Sequence, residues 1–426
     1  METMKRALAI CGALFLALAG PAPAVADELQ FSASLIEVFD HKATRTGILN
    51  PDNILDQRGL GSETALVTET RWQGLALRLR MAEEFQHHDG GWRKTDDLDL
   101  QELSYEFNLP SRYRLSVGKL SEAWHVGYAF HPLGFFEPQL NRDDLSERFK
   151  RNEGVPAIVS GYLADNWDFT LAYSNDFKNS RDGFNKGLHQ WAARVGMLTD
   201  NGMEYSLVAQ KPEGQNIGFG GTGVQVFGND LEVHGSIFMR QGTRRPVHAA
   251  VRNNQLVFET ENPYQAFRID DDKWYARSVV GLQWTSADLV NVILEWNHDG
   301  RGLDDQRWEQ WKDLVRFHAN GADLGVSNTA INGNLKFDAE TLLESGARQD
   351  YVFLRLSKGG GDWSPEVSVL VSVADGGAMW NARLAYTAAT TWEAEVFSRI
   401  SSGSSGSEFS MGPNKGSFGV GFRYHF

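Results

Sequence analysis

The chain has 426 residues, with 41 basic and 55 acidic side chains and a formal net charge of −14 at pH 7. No basic stretch stands out from this acidic background, so nucleic acid is not expected as a partner. The single cysteine, Cys11, lies near the amino terminus. The rest of the chain therefore contains no disulfide, and its stability must come from the fold alone.

Residues 1–26 have the pattern of a secretory signal peptide. Lys5 and Arg6 precede an apolar run over 7–19, and the small residues at 24–26 (Ala-Val-Ala) follow as a cleavage site. This run is too short for a membrane-spanning helix. We expect cleavage at the end of this segment, which leaves residues 27–426. A lipoprotein signal on Cys11 is disfavoured because its preceding residue is an isoleucine rather than a small residue.

Apolar and polar residues alternate along the whole remaining chain. The stretch GLALRLRM (74–81), for example, alternates leucines with Arg78 and Arg80. Alternation of this kind predicts β-strands with one apolar and one polar face. Eighteen such segments are present: 29–39, 63–72, 75–86, 98–109, 112–121, 155–164, 167–175, 188–198, 203–210, 218–227, 230–240, 274–285, 288–297, 348–357, 364–374, 379–387, 391–400 and 416–426.

The connections between these segments alternate in length. Short turns such as 73–74 and 164–166 are interleaved with long segments at 40–62, 87–97 and 122–154. This pattern is typical of transmembrane antiparallel β-barrels, whose short turns lie in the periplasm and whose long loops are extracellular. We therefore predict an all-β barrel of about 18 strands, with 16 as the alternative, and with both termini in the periplasm.

The last strand supports this prediction. In FGVGFRYHF (418–426) aromatic and apolar residues alternate with glycine and charged residues up to the final phenylalanine. Over residues 27–426 the chain resembles a single-domain Gram-negative outer-membrane β-barrel of the porin type. The resemblance implies an outer-membrane location, and it implies that Phe422, Tyr424 and Phe426 form a signal read by the barrel-assembly machinery.

A second resemblance concerns one long loop. The stretch WHVGYAFHPLGFFEPQLNRDDLSERFKRNEGVPAI (124–158) is similar to a loop of poorly characterised proteobacterial barrels, and it implies no particular substrate. A secreted β-sandwich or β-helix would show similar alternation. Tryptophans at or near strand ends, such as Trp72, Trp167 and Trp392, favour the barrel because interfacial girdles place aromatics there.

Positions opposite the apolar faces would line the lumen. The candidates for solute selectivity are Arg78, Arg80, Glu102, Glu106, Arg112, Arg114, Arg194, Arg277, Arg355 and Arg383. Charges on neighbouring strands form a structural ladder worth about 0.2–1 kcal/mol per pair, or an eyelet whose field sorts solutes. Because the arginine fork binds two oxygens at once, an anionic solute is compatible with this lumen.

Two long loops are candidates to narrow the lumen. Residues 141–152 (NRDDLSERFKRN) have helical spacing and mixed charge. In the second loop, 298–347, the helix predicted after the cap residue Asp304 places Trp308, Trp311 and Val315 on one face. The sequence leaves open whether this helix packs on the outer rim or folds inward as a constriction.

Features of an enzyme are not apparent in the sequence. There is no Gly-x-Ser-x-Gly motif, and the pairs at 87–88 and 298–299 lack the spacing of a zinc site. We therefore predict no catalytic residue, no metal and no cofactor.

The sequence favours a porin-like channel for passive diffusion of small hydrophilic solutes, with anions as one option. The alternatives are a channel that exports or takes up an anionic polysaccharide or oligosaccharide, and a closed barrel acting as a surface scaffold or partner of a periplasmic complex. The expected partners are outer-membrane lipid and lipopolysaccharide, the barrel-assembly machinery and small hydrophilic solutes. Whether the protein is a monomer or a homo-oligomer stays open.

Overall fold

The structure is a computed structural model. It describes residues 29–57, 59–88, 90–110, 112–136, 154–175, 189–243, 245, 247–259, 267–268, 273–343, 346–388 and 391–426. The predicted signal peptide, 1–26, and the predicted helical segment, 141–152, lie outside the described residues.

Eighteen strands form one antiparallel sheet in the described part of the chain. They are β1 (Gln30–Thr44), β2 (Leu60–Trp72), β3 (Leu75–His88), β4 (Gly91–Glu106), β5 (Tyr113–Leu120), β6 (Val155–Ala164), β7 (Trp167–Asn175), β8 (His189–Leu198), β9 (Glu204–Pro212), β10 (Gly218–Phe227), β11 (Leu231–Gln241), β14 (Trp274–Thr285), β15 (Val290–Asp299), β16 (Asp350–Lys358), β17 (Trp363–Ser372), β18 (Ala378–Ala388), β19 (Trp392–Ser402) and β20 (Asn414–His425). Two further strands, β12 (Val247–His248) and β13 (Phe267–Arg268), form a separate ribbon.

The sheet closes on itself, because β20 pairs with β1 as well as with β19. Closure leaves no unpaired sheet edge, which is the condition for crossing a bilayer with strands. The predicted count of 18 strands is confirmed.

The register gives each strand one outward and one inward face. One face of β20 carries Phe418, Val420, Phe422 and Tyr424, and Tyr424 lies opposite Leu35 of β1. These four side chains are each at least one-third exposed. Exposed aromatic and aliphatic residues recur at the same alternate positions around the barrel. An apolar exterior around a more polar interior is the arrangement of a transmembrane barrel.

Tight turns and long loops lie at opposite ends of the barrel, as predicted. The turn at Gln73 and Gly74 has positive φ at both residues, 47° and 84°, which matches the twist of a two-residue hairpin. One predicted long loop, 87–97, is wrong. β3 extends to His88 and β4 begins at Gly91, because the two strands keep pairing as far as His88 and Gly91 although 91–97 (GWRKTDD) does not alternate.

Four helices lie in the long loops that the structure describes. They are α1 (Ala249–Asn253), α2 (Asp305–Ala319), α3 (Asn328–Leu343) and α4 (Glu408–Met411), with 3-10 turns at Pro51–Asn53 and Gly321–Leu324. The predicted cap of α2 is present, since the Asp304 side chain accepts from the backbone N–H of Arg307 at 2.8 Å. None of the described helices is long and apolar enough to cross a membrane.

A loop-borne core, which we call the cap, lies at the long-loop end. Leu49 from the β1–β2 connection, Val251 from α1, Trp311 from α2 and Leu335 from α3 are buried in one cluster. The β1–β2 and β11–β14 connections are separated by eight strands, β14–β20 and β1, of the eighteen-strand ring. A core that joins them therefore extends across almost the full diameter of the barrel mouth.

Candidate functional site

Residues 121–136, which we call the lumen loop, cross the interior of the barrel. Trp124, Leu133 and Phe136 are buried against inward residues of β6–β9 and β11, such as Val208 and Phe238. Further along, Phe130 packs with inward residues of β14–β18. The lumen loop starts after β5, whereas Phe130 reaches as far as β18. Seven strands of the ring (β19, β20 and β1–β5) separate β18 from the start of the loop, so the loop must cross the lumen to make these contacts.

Polar wall residues hold the backbone of the lumen loop. Glu295, an inward and fully buried residue of β15, accepts the backbone N–H of Tyr128, and its second oxygen accepts that of Ala129 at 2.9 Å. His234 of β11 places Nε2 3.1 Å from the same carboxylate. Two backbone groups of the loop are thereby satisfied away from bulk water.

Three more wall residues contact the lumen loop. The Arg277 guanidinium donates to the carbonyl oxygen of Pro132 at 2.6 Å, and the Gln190 amide donates to that of Phe135 at 2.9 Å. The Arg355 guanidinium carbon lies 4.9 Å from the centre of the Tyr128 ring. The loop is therefore bound to β8, β14, β15 and β16, and not only by apolar packing.

The rest of the interior, on β18–β20 and β2–β4, carries a network of charges that we call the charged wall. Arg383 of β18 pairs with both Glu393 and Glu395 of β19, with 2.6 Å to Glu393. Arg71 and Glu69 of β2 pair at 2.9 Å, and Arg71 also reaches Glu102 of β4. No residue of β19, β20 or β1–β4 belongs to the two described clusters that bury the lumen loop.

The predicted ladder between β3 and β4 is present in altered form. Arg78 lies beside Glu102 in the register, but its described contacts are Gln101 at 3.1 Å and Glu69 at 3.5 Å. The antiparallel register places Glu106 beside the turn at Gly74, away from Arg80, and a register shift after Arg78 places Arg80 opposite Asp99. Arg80 instead pairs with Glu63 and with Asp97 at 3.0 Å.

Burial changes the interpretation of Arg80. Its side chain has no exposed surface, so a passing solute cannot reach it. Arg80 therefore contributes to the wall as a buried ion pair, in contrast to the lumen-lining role expected from the alternation.

Four other candidates lie near the short-turn end. Arg112 precedes β5 and pairs with Asp165 in the neighbouring turn at 3.2 Å, with both side chains mostly exposed. Arg114 approaches Glu106 at 3.8 Å and pairs with Glu122 of the lumen loop. Arg194 bridges acids of the two strands beside it, Asp168 of β7 and Glu204 of β9.

Arg277, Arg355 and Arg383 all face the lumen, and they differ in their partners. Arg355 pairs with Glu366 at 2.8 Å, and Arg383 with two glutamates. The hydrogen-bond acceptor of Arg277 in the described residues is a neutral carbonyl. The sequence pattern therefore identified the inward positions, and the structure distinguishes paired arginines from those with neutral acceptors.

A second arginine with neutral acceptors adjoins Arg277. Arg240 of β11 donates to the side-chain amide oxygens of Gln210 and Gln215, and its Nε has no acceptor among the described residues. Both guanidinium carbons lie close to the Phe238 ring centre, at 5.0 Å for Arg240 and 5.2 Å for Arg277. Asp299, at the end of β15, is hydrogen-bonded by Arg301, and its charge also acts on Arg277, its partner in the register.

The constriction candidates of α2 lie in the cap rather than in the lumen. Trp308, Trp311 and Val315 are almost completely buried in the cap core, and the two indole rings stack at 4.8 Å. Their side chains cannot contact a solute in this state. Any role in narrowing the channel would belong to the cap as a unit.

The three residues of the predicted assembly signal lie on the outward face at the end of β20. Phe426 is 71% exposed, and its backbone N–H donates to the carbonyl oxygen of Ala33 at 2.9 Å. Phe422 and Tyr424 face outward beside Glu37 and Leu35 of β1.

Alternation along the sequence places Glu295 and Arg240 on the lumen face but gives no partner for either, and sequence reasoning missed His234. A lone acid in the apolar strand LVNVILEWN and a lone histidine in LEVHGS were the available signals. Their partners are far away in the chain, 167 residues for Glu295 and Tyr128, so no local pattern could pair them.

Comparison with known proteins is informative only at the level of structure. No protein-family model matches the chain, and no curated protein matches its sequence. Among solved structures, OccK3 (OpdO) of Pseudomonas aeruginosa aligns with a TM-score of 0.53 and 11% identity, over 94% of this chain and 96% of its own. OccK5 (OpdH) of the same organism has a TM-score of 0.52 and 9% identity, over 94% and 98%. OpdK of that organism, solved with vanillate, has a TM-score of 0.52 and 9% identity, over 94% and 99%.

The fold is that of an outer-membrane barrel of the porin type. The alignments extend over nearly the whole length of both chains. In this porin-type barrel the lumen is the candidate site, with the lumen loop on one side and the charged wall on the other.

Proposed function

We propose that this protein is an outer-membrane channel for passive diffusion of small hydrophilic solutes, with a preference for anions. The observation that carries the proposal is the division of the lumen. The lumen loop is packed against β6–β9, β11 and β14–β18, and a charged, hydrogen-bonding wall lies on β18–β20 and β2–β4. An eighteen-strand barrel is wide enough to keep an aqueous path beside one such loop.

The anion preference is supported by Arg240 and Arg277. Most other inward arginines are neutralised by carboxylates, whereas the described acceptors of these two are amide and carbonyl oxygens. Two guanidinium groups near one aromatic ring form a site where carboxylate, phosphate or sulfate would be bound by paired N–H groups. The OpdK structure, which shares the fold, was solved with vanillate, a carboxylate.

The test is ion selectivity in planar bilayers. The refolded chain from Asp27 is expected to give steady conductance. In a salt gradient, the sign of its reversal potential should show that anions permeate better than cations. The double variant Arg240→Gln/Arg277→Gln should lose most of that preference, because it removes two fixed positive charges from the path.

A matched control removes two positive charges elsewhere. Arg307→Gln/Arg316→Gln changes two arginines of α2 in the cap and should leave the reversal potential close to that of the wild type. An equal shift in both double variants would indicate a general charge effect and would contradict a local anion site.

The cap supports a second candidate, a closed barrel that acts as a surface scaffold. Its core extends across the mouth and links loops from opposite sides of the ring. Absence of conductance from wild-type protein, with the barrel intact, would favour this function over the channel.

A further inference from the structure

Glu295 is in an unusual position for an acidic residue. It is fully buried on the inner wall, and three described donors surround its carboxylate: the backbone N–H groups of Tyr128 and Ala129, and His234 Nε2. A buried carboxylate is stable only when its charge is neutralised and its oxygens are hydrogen-bonded. These three donors meet that requirement.

His234 lies between two acids. Its Nδ1 is 3.1 Å from Glu232 Oε1, and its Nε2 is 3.1 Å from Glu295 Oε1. A carboxylate only accepts hydrogen bonds, so both ring nitrogens must donate if both contacts are to be favourable. The arrangement therefore favours the imidazolium form, whose charge keeps Glu295 ionised.

Two glycines allow the loop and the wall to approach. A Cβ on Gly127 would collide with the carbonyl oxygen of Phe130 and lie 3.4 Å from Glu295 Oε1. A Cβ on Gly281 of β14 would lie 2.6 Å from His234 Nε2 and 2.7 Å from Glu295 Cγ. The absence of side chains at both positions is thus required for the contact between Glu295, His234 and the lumen loop.

We propose that Glu295, supported by His234, is the positioning residue that holds the lumen loop across the barrel and thereby sets the width of the channel. This inference rests on the proposed channel function. Apolar packing of Phe130 and Trp124 keeps the loop inside the barrel. Glu295 fixes the position of the loop backbone at Tyr128 relative to the barrel wall, because its carboxylate binds two consecutive backbone N–H groups there.

The experiment combines single-channel conductance with loop mobility. Glu295→Ala removes the acceptor, Glu295→Gln keeps its shape but lacks the charge, and His234→Gln removes the cation. We expect conductance to rise about twofold in Glu295→Ala, with more current noise, and to rise less in Glu295→Gln and His234→Gln. The matched control is Asn297→Ala, a buried inward residue of the same strand with no described contact to the loop.

Loop mobility is measured independently of conduction. His131→Cys introduces one thiol on the exposed part of the loop, in a chain whose only cysteine, Cys11, precedes Asp27. A nitroxide at this position should be immobile in the wild type and in Asn297→Ala, and mobile in Glu295→Ala.

The outcomes separate the two proposals. If the wild type conducts and Glu295→Ala matches it in both conductance and label mobility, the positioning role is overturned. It is also overturned if Asn297→Ala changes both readouts as much as Glu295→Ala does. If no variant conducts but the label is released only in the Glu295 variants, the channel function fails and the positioning role stands.

Discussion

At the scale of single residues, Arg80 shows how inward orientation differs from accessibility. It lies on the lumen face of β3, yet Glu63 and Asp97 bind its guanidinium and no surface remains. Neighbouring inward residues form a small apolar cluster that includes Val67 and Ala82. A guanidinium in such surroundings is tolerated because carboxylates compensate its charge.

Replacement of Arg80 by methionine should therefore destabilise the barrel more than it changes conduction. Glu63 would be left buried without its cation, a loss of about 3–5 kcal/mol in the free energy of unfolding. The measurement is equilibrium unfolding by urea in lipid vesicles. The double variant Glu63→Gln/Arg80→Met should recover much of the loss, and equal destabilisation of the single and double variants would contradict the pairing.

At the scale of elements, a buried polar contact joins two helices of the cap. His318 of α2 places Nδ1 2.6 Å from Asp338 of α3, and its Nε2 lies 2.7 Å from the carbonyl oxygen of Val257. Burial disfavours the charged imidazole, but the hydrogen bond and charge of Asp338 outweigh it and raise the pKa of His318. The contact joins α2, α3 and the segment after α1.

The cap should consequently loosen at alkaline pH. Since the folded state raises the pKa of His318, its contribution is complete below the unfolded value of about 6.5 and is lost as the pH rises through the folded value. Hydrogen exchange of 305–343, corrected for intrinsic rates, should accelerate as the pH rises above the unfolded value of His318, about 6.5. His318→Gln should abolish this pH dependence, and unchanged dependence in that variant would exclude His318 as its source.

At the scale of the whole molecule, the barrel closes at the pairing of its first and last strands. β20 pairs with β1 from Ser34 to Thr44, and the final residue, Phe426, adds a backbone hydrogen bond to Ala33. The exposed phenyl ring of Phe426 has no core to stabilise, which is consistent with recognition during assembly rather than with stability.

Deletion of Phe426 should therefore reduce the amount of assembled protein in the outer membrane without reducing the stability of the barrel that does form. The measurement is the heat-modifiable fraction in isolated membranes, compared with chain refolded into detergent. Phe426→Tyr is the matched control, since it keeps an aromatic ring at the terminus. Normal membrane levels of the deletion variant would contradict the assembly role.

Much of the fold was predictable because the two faces of a β-strand follow from the alternation of neighbouring residues. All eighteen barrel strands, their inward and outward residues, and the helix α2 follow from alternation, turn residues and a capping aspartate. The loop 87–97 was mistaken because the end of a strand depends on its partner. Helix α3 was missed because asparagine and glycine, which are poor helix formers, are frequent in NTAINGNLKF, and burial of Ile331 and Leu335 stabilises it instead.

The sequence by itself determined a closed, two-faced barrel with arginines and carboxylates inside, since side-chain periodicity requires only the neighbouring residues. Only the tertiary structure decided which arginines are neutralised, that Trp308 and Trp311 belong to a cap, and that Glu295 holds a loop from far away in the chain. The physical reason is that residues that meet across the lumen are far apart in the chain and come together only when the ring closes. The periodicity of a single strand carries no information about such partners.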